Sequence, residues 1–307
     1  MEKPLVSIAC ITYNQAKYIR QCLDGFVMQK TKFPIEIVIH DDASTDKTQD
    51  IIREYIEKYP QFLWKPIFQK ENKYKQGKGI LVPYVYPECT GKYIALCEGD
   101  DYWCDENKLQ MQIDYLEHNT DCVMIYSDYS CVDKDDQGII CNKLTPLEGN
   151  VAQQLVHGNC ACTPTVIFRF KMFDGYDQFV NNFGTKLMFG DLSTWLYLST
   201  KGKLHYLNRI TAHYRVLSDS ASHSTTNKEY LYAFAKNLLD FKLYANKTLD
   251  INANEKGIYK TYYNTMLRYT SQHSFADFVR IIPSALRTCP TVFTFRTLSR
   301  CTVNLFK

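Results

Sequence analysis

No stretch of this 307-residue sequence approaches the roughly 18 apolar residues of a membrane-spanning helix. The opening MEKPLVSIACITYN has a single lysine and a short apolar run that passes straight into polar residues, unlike a secretory signal. A one-sided charge is also missing. With 36 basic residues against 33 acidic ones, the formal charge is +3, and nothing in the total points to a nucleic-acid partner. Internal repeats and low-complexity segments are absent. The 12 cysteines form no C-x-x-C, and the close pair Cys160 and Cys162 has no second ligand pair, which argues against structural zinc. Most of the cysteines sit in apolar runs, so buried free thiols and a reducing cytoplasm are the expectation.

With 45% hydrophobic and 14% aromatic residues, the chain has apolar material for one large core, alone or with an appended helical piece. Val6 to Ile11, Ile35 to Ile39 and Tyr93 to Cys97 are short β-rich runs that read as buried strands. Helical spacing follows them at Lys17 to Gln29, Asp46 to Tyr59 and Lys108 to Glu117. This alternation implies βαβ units and an α/β fold with a mostly parallel sheet. Ligands of such sheets bind outside the carboxyl ends of the strands, so Thr12 to Asn14, Asp41 to Asp42 and Glu98 to Asp101 should meet in one crevice. Further on, Asp133 to Gly138 reads as a turn, with strands at Val166 to Phe168 and Leu204 to Leu207 around a helix at Leu192 to Ser199. Past Ser224 the pattern becomes long and helical, which divides the chain into a region 1–224 and a helical region 225–307.

Glu98-Gly99-Asp100-Asp101 places three carboxylates directly after a strand, with Gly99 allowing close backbone approach. Such a set suits Mg²⁺ or Mn²⁺ shared with a diphosphate, although acids also favour the first turn of a following helix. Asp41 and Asp42 end a neighbouring strand, placed to accept hydrogen bonds from a base or ribose. Asp46 reads as the cap of the helix after them. Two acidic clusters facing each other would repel unless a cation or a donor-rich ligand lies between them.

Three ordered motifs carry a resemblance. Val6-Ser7-Ile8 through Thr12-Tyr13-Asn14, then Asp41-Asp42-Ala43-Ser44-Thr45-Asp46, then Gly91-Lys92-Tyr93-Ile94 through Asp100-Asp101 are similar to motifs of the inverting family 2 glycosyltransferases of the GT-A fold, the type found in bacterial polysaccharide biosynthesis. The resemblance implies Thr12 and Asp42 at the nucleotide base and Asp100 at the ribose or sugar. It also implies Mn²⁺ or Mg²⁺ on Asp101 and Asp100, with Tyr13, Asn14, Asp41 and Glu98 completing the nucleotide-sugar contacts. Phe189-Gly190-Asp191-Leu192 looks like the segment whose aspartate is the general base, and Asp191 at a helix start also reads as an N-cap whose charge the dipole favours. His213-Tyr214-Arg215-Val216-Leu217-Ser218 resembles a Y-R-x-H block with Leu217 in place of the histidine. That leaves Arg215 as the diphosphate contact, with His213 or His223 as substitute ligands or as structural residues. The loop Lys70 to Gly79, with four lysines and two glycines, reads either as a cover over phosphates or as a solvated loop.

The implied reaction is transfer of a sugar from a nucleotide-diphosphate donor, UDP-sugar by default, to a saccharide or lipid-linked glycan hydroxyl. A nucleotidyltransferase would need a Gly-rich phosphate loop, which Thr12-Tyr13-Asn14-Gln15 is not. A degenerate glycosyltransferase acting as a saccharide- or nucleotide-binding module is the alternative that Leu217 raises, and retention of Asp101 and Asp191 argues against it. From Phe275 to Lys307 four arginines and Lys307 face a lone Asp277 among apolar residues, broken by Pro283 and Pro290. That segment reads as a contact with anionic membrane, or as helices packing on the catalytic domain or on a second subunit of a homo-oligomer. The expected location is the cytoplasm, free or peripheral on the inner face of the membrane.

Overall fold

The computed structural model describes residues 3–76, 79–217 and 228–305. The first part comprises β1 (Val6–Thr12), α1 (Ile19–Val27), β2 (Ile35–Asp41), α2 (Thr48–Lys58), β3 (Leu63–Phe68), β4 (Tyr93–Glu98), β5 (Tyr102–Trp103), α3 (Lys108–His118) and β6 (Cys122–Val132). There follow β7 (Gly138–Ile139), α4 (Ala152–Leu155), β8 (Ile167–Arg169), α5 (Tyr176–Asn182), α6 (Asp191–Ser199) and β9 (Lys203–Arg215). The chain then runs through α7 (Lys228–Thr248), α8 (Glu255–His273), α9 (Phe275–Thr288) and α10 (Phe295–Leu305).

The strands form one mixed sheet in the order β3-β2-β1-β4-β8-β6-β9-β5, with β7 on β6. The long ladders are parallel, β1 with β2 and β4, β2 with β3, and β6 with β9; the antiparallel ones are only two or three residues long. Alternation along the buried strands builds a core on each face. Ile8, Cys10, Ile37, Ile39, Tyr93, Ala95 and Cys97 pack against α1, α2 and α3. Ala9, Val38, Ile94 and Leu96 belong to the core on the other face, which takes in the helical turn at residues 81–85 over β1 and β2 and residues of α6 and α7. A sheet apolar on both faces is covered by helices on both, the three-layer arrangement the alternation implied.

The boundary placed at 224/225 falls in residues 218–227, outside those described. Packing does not divide there, because Phe241 and Ala245 of α7 and Ile258 of α8 belong to the core under the sheet. A separate small core, with Tyr263, Leu267, Phe278, Ala285, Cys289, Val292 and Cys301, joins α8 to α9 and α10. Pro283 does not interrupt α9: it lies on the exposed side, where the N–H it withholds from the Val279 carbonyl is lost at a solvated edge. Among the described residues no helix is long and apolar enough to cross a membrane.

One expectation fails at the cysteines. Cys131 and Cys141 form a disulfide. The reversal at 133–138 pairs Cys131 with Ile139, which returns residue 141 beside residue 131, a proximity that apolar context alone does not reveal. The other cysteines are free, and all but Cys104 are buried.

Candidate active site

Register brings the three polar segments together. Thr12 lies opposite Asp41, and Ile11 is flanked by His40 on one side and Glu98 on the other. Each ladder runs one step past its strand, through Asp42 N to Thr12 O at 3.0 Å and Gly99 N to Ile11 O at 2.9 Å. Gly99 is therefore pressed against β1 rather than held open for a ligand: a Cβ there would lie 2.9 Å from Thr12 Cβ. Asn14, at φ 52°, ties the first two loops by accepting from Thr45 N at 2.8 Å on Oδ1 and donating its own N–H to Ser44 Oγ at 2.8 Å.

The acids of the second loop serve that loop first. Asp41 accepts from Ser44 N at 2.9 Å and Gln49 Nε2 at 2.6 Å on one oxygen, and from Ser44 Oγ on the other. Asp42 accepts from Lys73 N at 2.7 Å and Tyr74 N at 3.0 Å, so the lysine-rich loop is fastened over the strand ends. There Lys75 Nζ lies 5.6 Å from the ring centre of Tyr13. Residues 77 and 78, Lys78 among them, are outside the described residues. Asp46 takes the N–H of Thr48 at 2.9 Å, the capping bond expected of it, although Lys47 holds the cap position.

Glu98, Asp100 and Asp101 lie with carboxylate oxygens within 4.8 Å of one another. Burial, joined by Asp100 and Asp191 nearby, pushes the Glu98 carboxyl up to about 8. Burial also raises Asp100, and burial with the Asp100 and Glu98 charges raises Asp101 well above the usual carboxylate range. Asp101 Oδ1 accepts from Arg215 N at 2.8 Å, while the buried Oδ2 has no partner, nor do Thr12 Oγ1 and Gln15 Oε1. A buried acid elsewhere shows the contrast. Glu36, at the opposite ends of the strands, pays its desolvation with bonds from Ser7, Thr90 and Lys65 that hold it below the usual value. Hard oxygen donors, crowded, disfavoured as anions and ending in an unpartnered oxygen, fit a divalent cation.

Arg215 is enclosed by the protein. Only 2% exposed, it donates from Nε to Asp100 O at 3.0 Å, from one terminal nitrogen to Asp133 O at 2.8 Å and from the other to Gln21 Oε1 at 2.6 Å, between the rings of Tyr18 and Tyr102. It clamps the Asp100–Asp101 turn, with its guanidinium engaged by partners within the protein. His213 stacks on Tyr102 and bonds Ser130 Oγ at 2.6 Å, a packed residue, with burial pulling its pKa down. His223 lies outside the described residues.

Asp191 is the first residue of α6, with Gly190 at the cap position, so the N-cap reading is off by one. Leu192 N donates to Oδ1 at 2.7 Å and Asn159 Nδ2 to Oδ2 at 2.7 Å. The helix start was expected to favour its charge. Instead burial outweighs those two bonds and the Asp191 carboxyl sits above its ordinary value. Its charge also contributes to raising Glu98, so the two acidic groups share one electrostatic environment. Gln15 and Asn159 were missed by the sequence reading. Gln15 directly follows the Thr-Tyr-Asn motif, a signal that was available, whereas Asn159 sits in no recognisable pattern.

The model of the family described as glycosyl transferase family 2 matches residues 7–176, from β1 into α5. The chain belongs to that family. Its fold is GT-A-like, and the match to the first curated relatives spans about a third of their length. WfaP of Escherichia coli, a UDP-Glc:alpha-D-GlcNAc-diphosphoundecaprenol beta-1,3-glucosyltransferase, is 30% identical over 222 residues, covering 71% of this chain and 80% of that one. The putative teichuronic acid biosynthesis glycosyltransferase TuaG of Bacillus subtilis is 28% identical over 226 residues, 72% of this chain and 82% of that one. An uncharacterised Mycobacterium tuberculosis protein is 46% identical over 121 residues, but the match spans only 34% of that protein and 39% of this one. In fold, S. aureus TarS 1–349 in complex with UDP-GlcNAc superposes with a TM-score of 0.61 at 15% identity, over 98% of this chain and 89% of that one.

Proposed function

We propose that this family 2 glycosyltransferase moves a sugar from a UDP-sugar to a hydroxyl of a saccharide or lipid-linked glycan, with inversion and with Asp191 as the general base. The observation that carries the reading is the pairing of two unlike acidic groups: the crowded Glu98, Asp100 and Asp101, one oxygen of which has no partner, and the singly placed Asp191. The naming of WfaP as a UDP-glucose enzyme acting on a diphosphoundecaprenol-linked sugar supports both donor and acceptor class.

Asp191 is held by Asn159 and by the first turn of α6, which fixes the carboxylate while leaving lone pairs for an incoming hydroxyl. Its raised pKa makes it a stronger base once ionised, suited to take a hydroxyl proton as the new bond forms. Asp100 and Asp101, with Glu98 beside them, are the residues that would hold Mn²⁺ or Mg²⁺, which when bound offsets the charge of a departing diphosphate. Thr12 Oγ1 and Gln15 Oε1 leave unpartnered polar atoms at the end of β1 for donor groups. Tyr13 and the loop fastened by Asp42 border the same place.

The test separates the two acids. Asp191→Asn should lower transfer at least ~10²-fold, the usual contribution of a general base, while calorimetry still detects UDP binding in Mn²⁺. Asp101→Asn should remove the metal dependence of UDP binding. Near-normal turnover of Asp191→Asn would overturn the base assignment, and product NMR showing a retained anomer would overturn inversion.

A further inference from the structure

The chain's excess of positive charge and most of the large apolar side chains exposed among the described residues occupy the same short stretch. Residues 275–303 carry Arg280, Arg287, Arg296 and Arg300 against Asp277, a formal +3 equal to that of the whole chain. Of the large apolar side chains that are exposed among the described residues, Phe275, Val279, Leu286, Phe295, Leu298 and Val303 lie here, with Phe295 90% and Phe275 66% exposed.

Helical geometry sorts them. On α9, Phe275, Val279, Pro283 and Leu286 recur four, four and three residues apart and form one exposed stripe, while Phe278 and Ala285 turn the other way into the α8 core. Arg280 and Arg287 each follow a stripe residue directly and so border it along one side. On α10, Cys301 is buried in the same core, and Phe295, Leu298 and Val303 are exposed beside Arg296 and Arg300. Arg280 reaches Asp277 at 3.5 Å; Arg287, Arg296 and Arg300 form no ion pair among the described residues.

We infer that the outer face of α9 and α10 is a docking surface for an anionic lipid bilayer. Two properties of the face select that occupant. Apolar side chains left in water on two successive helices need an apolar phase to enter, and unpaired arginines alongside need anionic groups at the level where that phase meets water. Arginine stems can extend toward phosphate headgroups while the phenylalanines enter the acyl boundary. A second copy of this chain docked through the same face would present arginines to arginines. The inference stands independently of the base and metal assignments, since α9 and α10 pack on α8 and contribute no residue to the strand-end site.

The full-length protein should sediment with vesicles of phosphatidylcholine containing about 30% phosphatidylglycerol, far less with phosphatidylcholine alone, and release as salt rises. Arg287→Gln, Arg296→Gln and Arg300→Gln together should weaken that partitioning roughly a hundredfold, at about fivefold per arginine near an anionic surface. Phe275→Ser with Phe295→Ser should abolish it while transfer to a soluble acceptor and the thermal midpoint stay unchanged, because both side chains are exposed. Failure of the unmodified protein to bind the anionic vesicles overturns the inference. So does binding unaltered in both variants, or a dimer by light scattering that the phenylalanine variant dissolves without any vesicle binding.

Discussion

Three neighbouring carboxyls raised by burial, Glu98 and Asp101 also by neighbouring acids, make stability and metal binding depend on pH in a direction that can be worked out. Glu98 titrates near 4.5 as an ordinary glutamate and at about 8 in the fold, so between those values the folded protein holds a proton that the unfolded chain has released. The contribution is favourable below that window and is lost as pH rises through it; Asp100 and Asp101, raised for the same reason, act in the same sense. A cation that replaces those protons reverses the trend, because only the ionised carboxylates bind it. Metal-free protein should therefore lose thermal stability between about pH 5.5 and 8, and saturating Mn²⁺ should raise the melting midpoint strongly at the upper pH and little at the lower one. Differential scanning fluorimetry at the two pH values decides it. An equal Mn²⁺ shift at both would show that these carboxyls do not hold the metal. The carboxylate cluster around Asp101 could be anticipated from its place after a strand; the partners that enclose Arg215 could not. A guanidinium near an acidic motif is attributed to a ligand by habit, and only the fold reveals Tyr18, Tyr102, Gln21 and the Asp100 and Asp133 carbonyls closing around it.

Strand ends carry the site because β1, β2 and β4 are parallel and in register, and their close spacing is itself a requirement. Gly99 bonds Ile11 O and packs on Thr12, so Gly99→Ala would force its Cβ against Thr12 and Gln15 and separate the acidic turn from β1. Overpacking of this kind costs about 1–3 kcal/mol. The variant should show a lower urea midpoint with unchanged m-value and a larger loss of metal-dependent UDP binding than its stability loss accounts for; binding that simply tracked stability would show that the turn tolerates the shift. β1, β2, β4 and α1 to α3 were legible because unbroken apolar runs and helical spacing are local properties, whereas β3 and β6 were not read as strands and β9 extends well past Leu204 to Leu207. What escaped depends on pairing between distant segments: the disulfide needs β7 to fold back on β6, and Asn159 reaches Asp191 from the far side of a long connection. Asp191 was found as an acid at the start of a helix, yet its charge balance was misjudged, because sequence shows the helix dipole and not the surrounding desolvation.

At the scale of the whole molecule, the change to long helices near residue 225 suggests a second unit, while the packing shares one core across it. Phe241 of α7 is fully buried among Phe179, Phe183, Phe189 and Tyr244, with ring centres 5.3 to 6.3 Å away. Tyr244 is on α7 itself, while Phe179, Phe183 and Phe189 come from the connection that ends in α6, where Asp191 sits, so α7 buttresses the layer that positions the proposed base. Phe278 belongs instead to the small core of α8, α9 and α10. Phe→Ala at such positions typically costs about 3–5 kcal/mol, but the two losses should fall on different parts of the molecule. Phe241→Ala should lower the main calorimetric transition, that of the sheet, and increase amide exchange along α6, reducing transfer with it. Phe278→Ala should loosen exchange in α9 and α10, leave α6 protected and spare transfer to a soluble acceptor. Equal loss of α6 protection in both variants would mean that all the helices fold as one cooperative unit; none in either would mean that α7 is a passenger. That expected asymmetry would suit the proposed lipid docking, with a rigid seam holding the chemistry and a more independent pair of helices free to meet a surface.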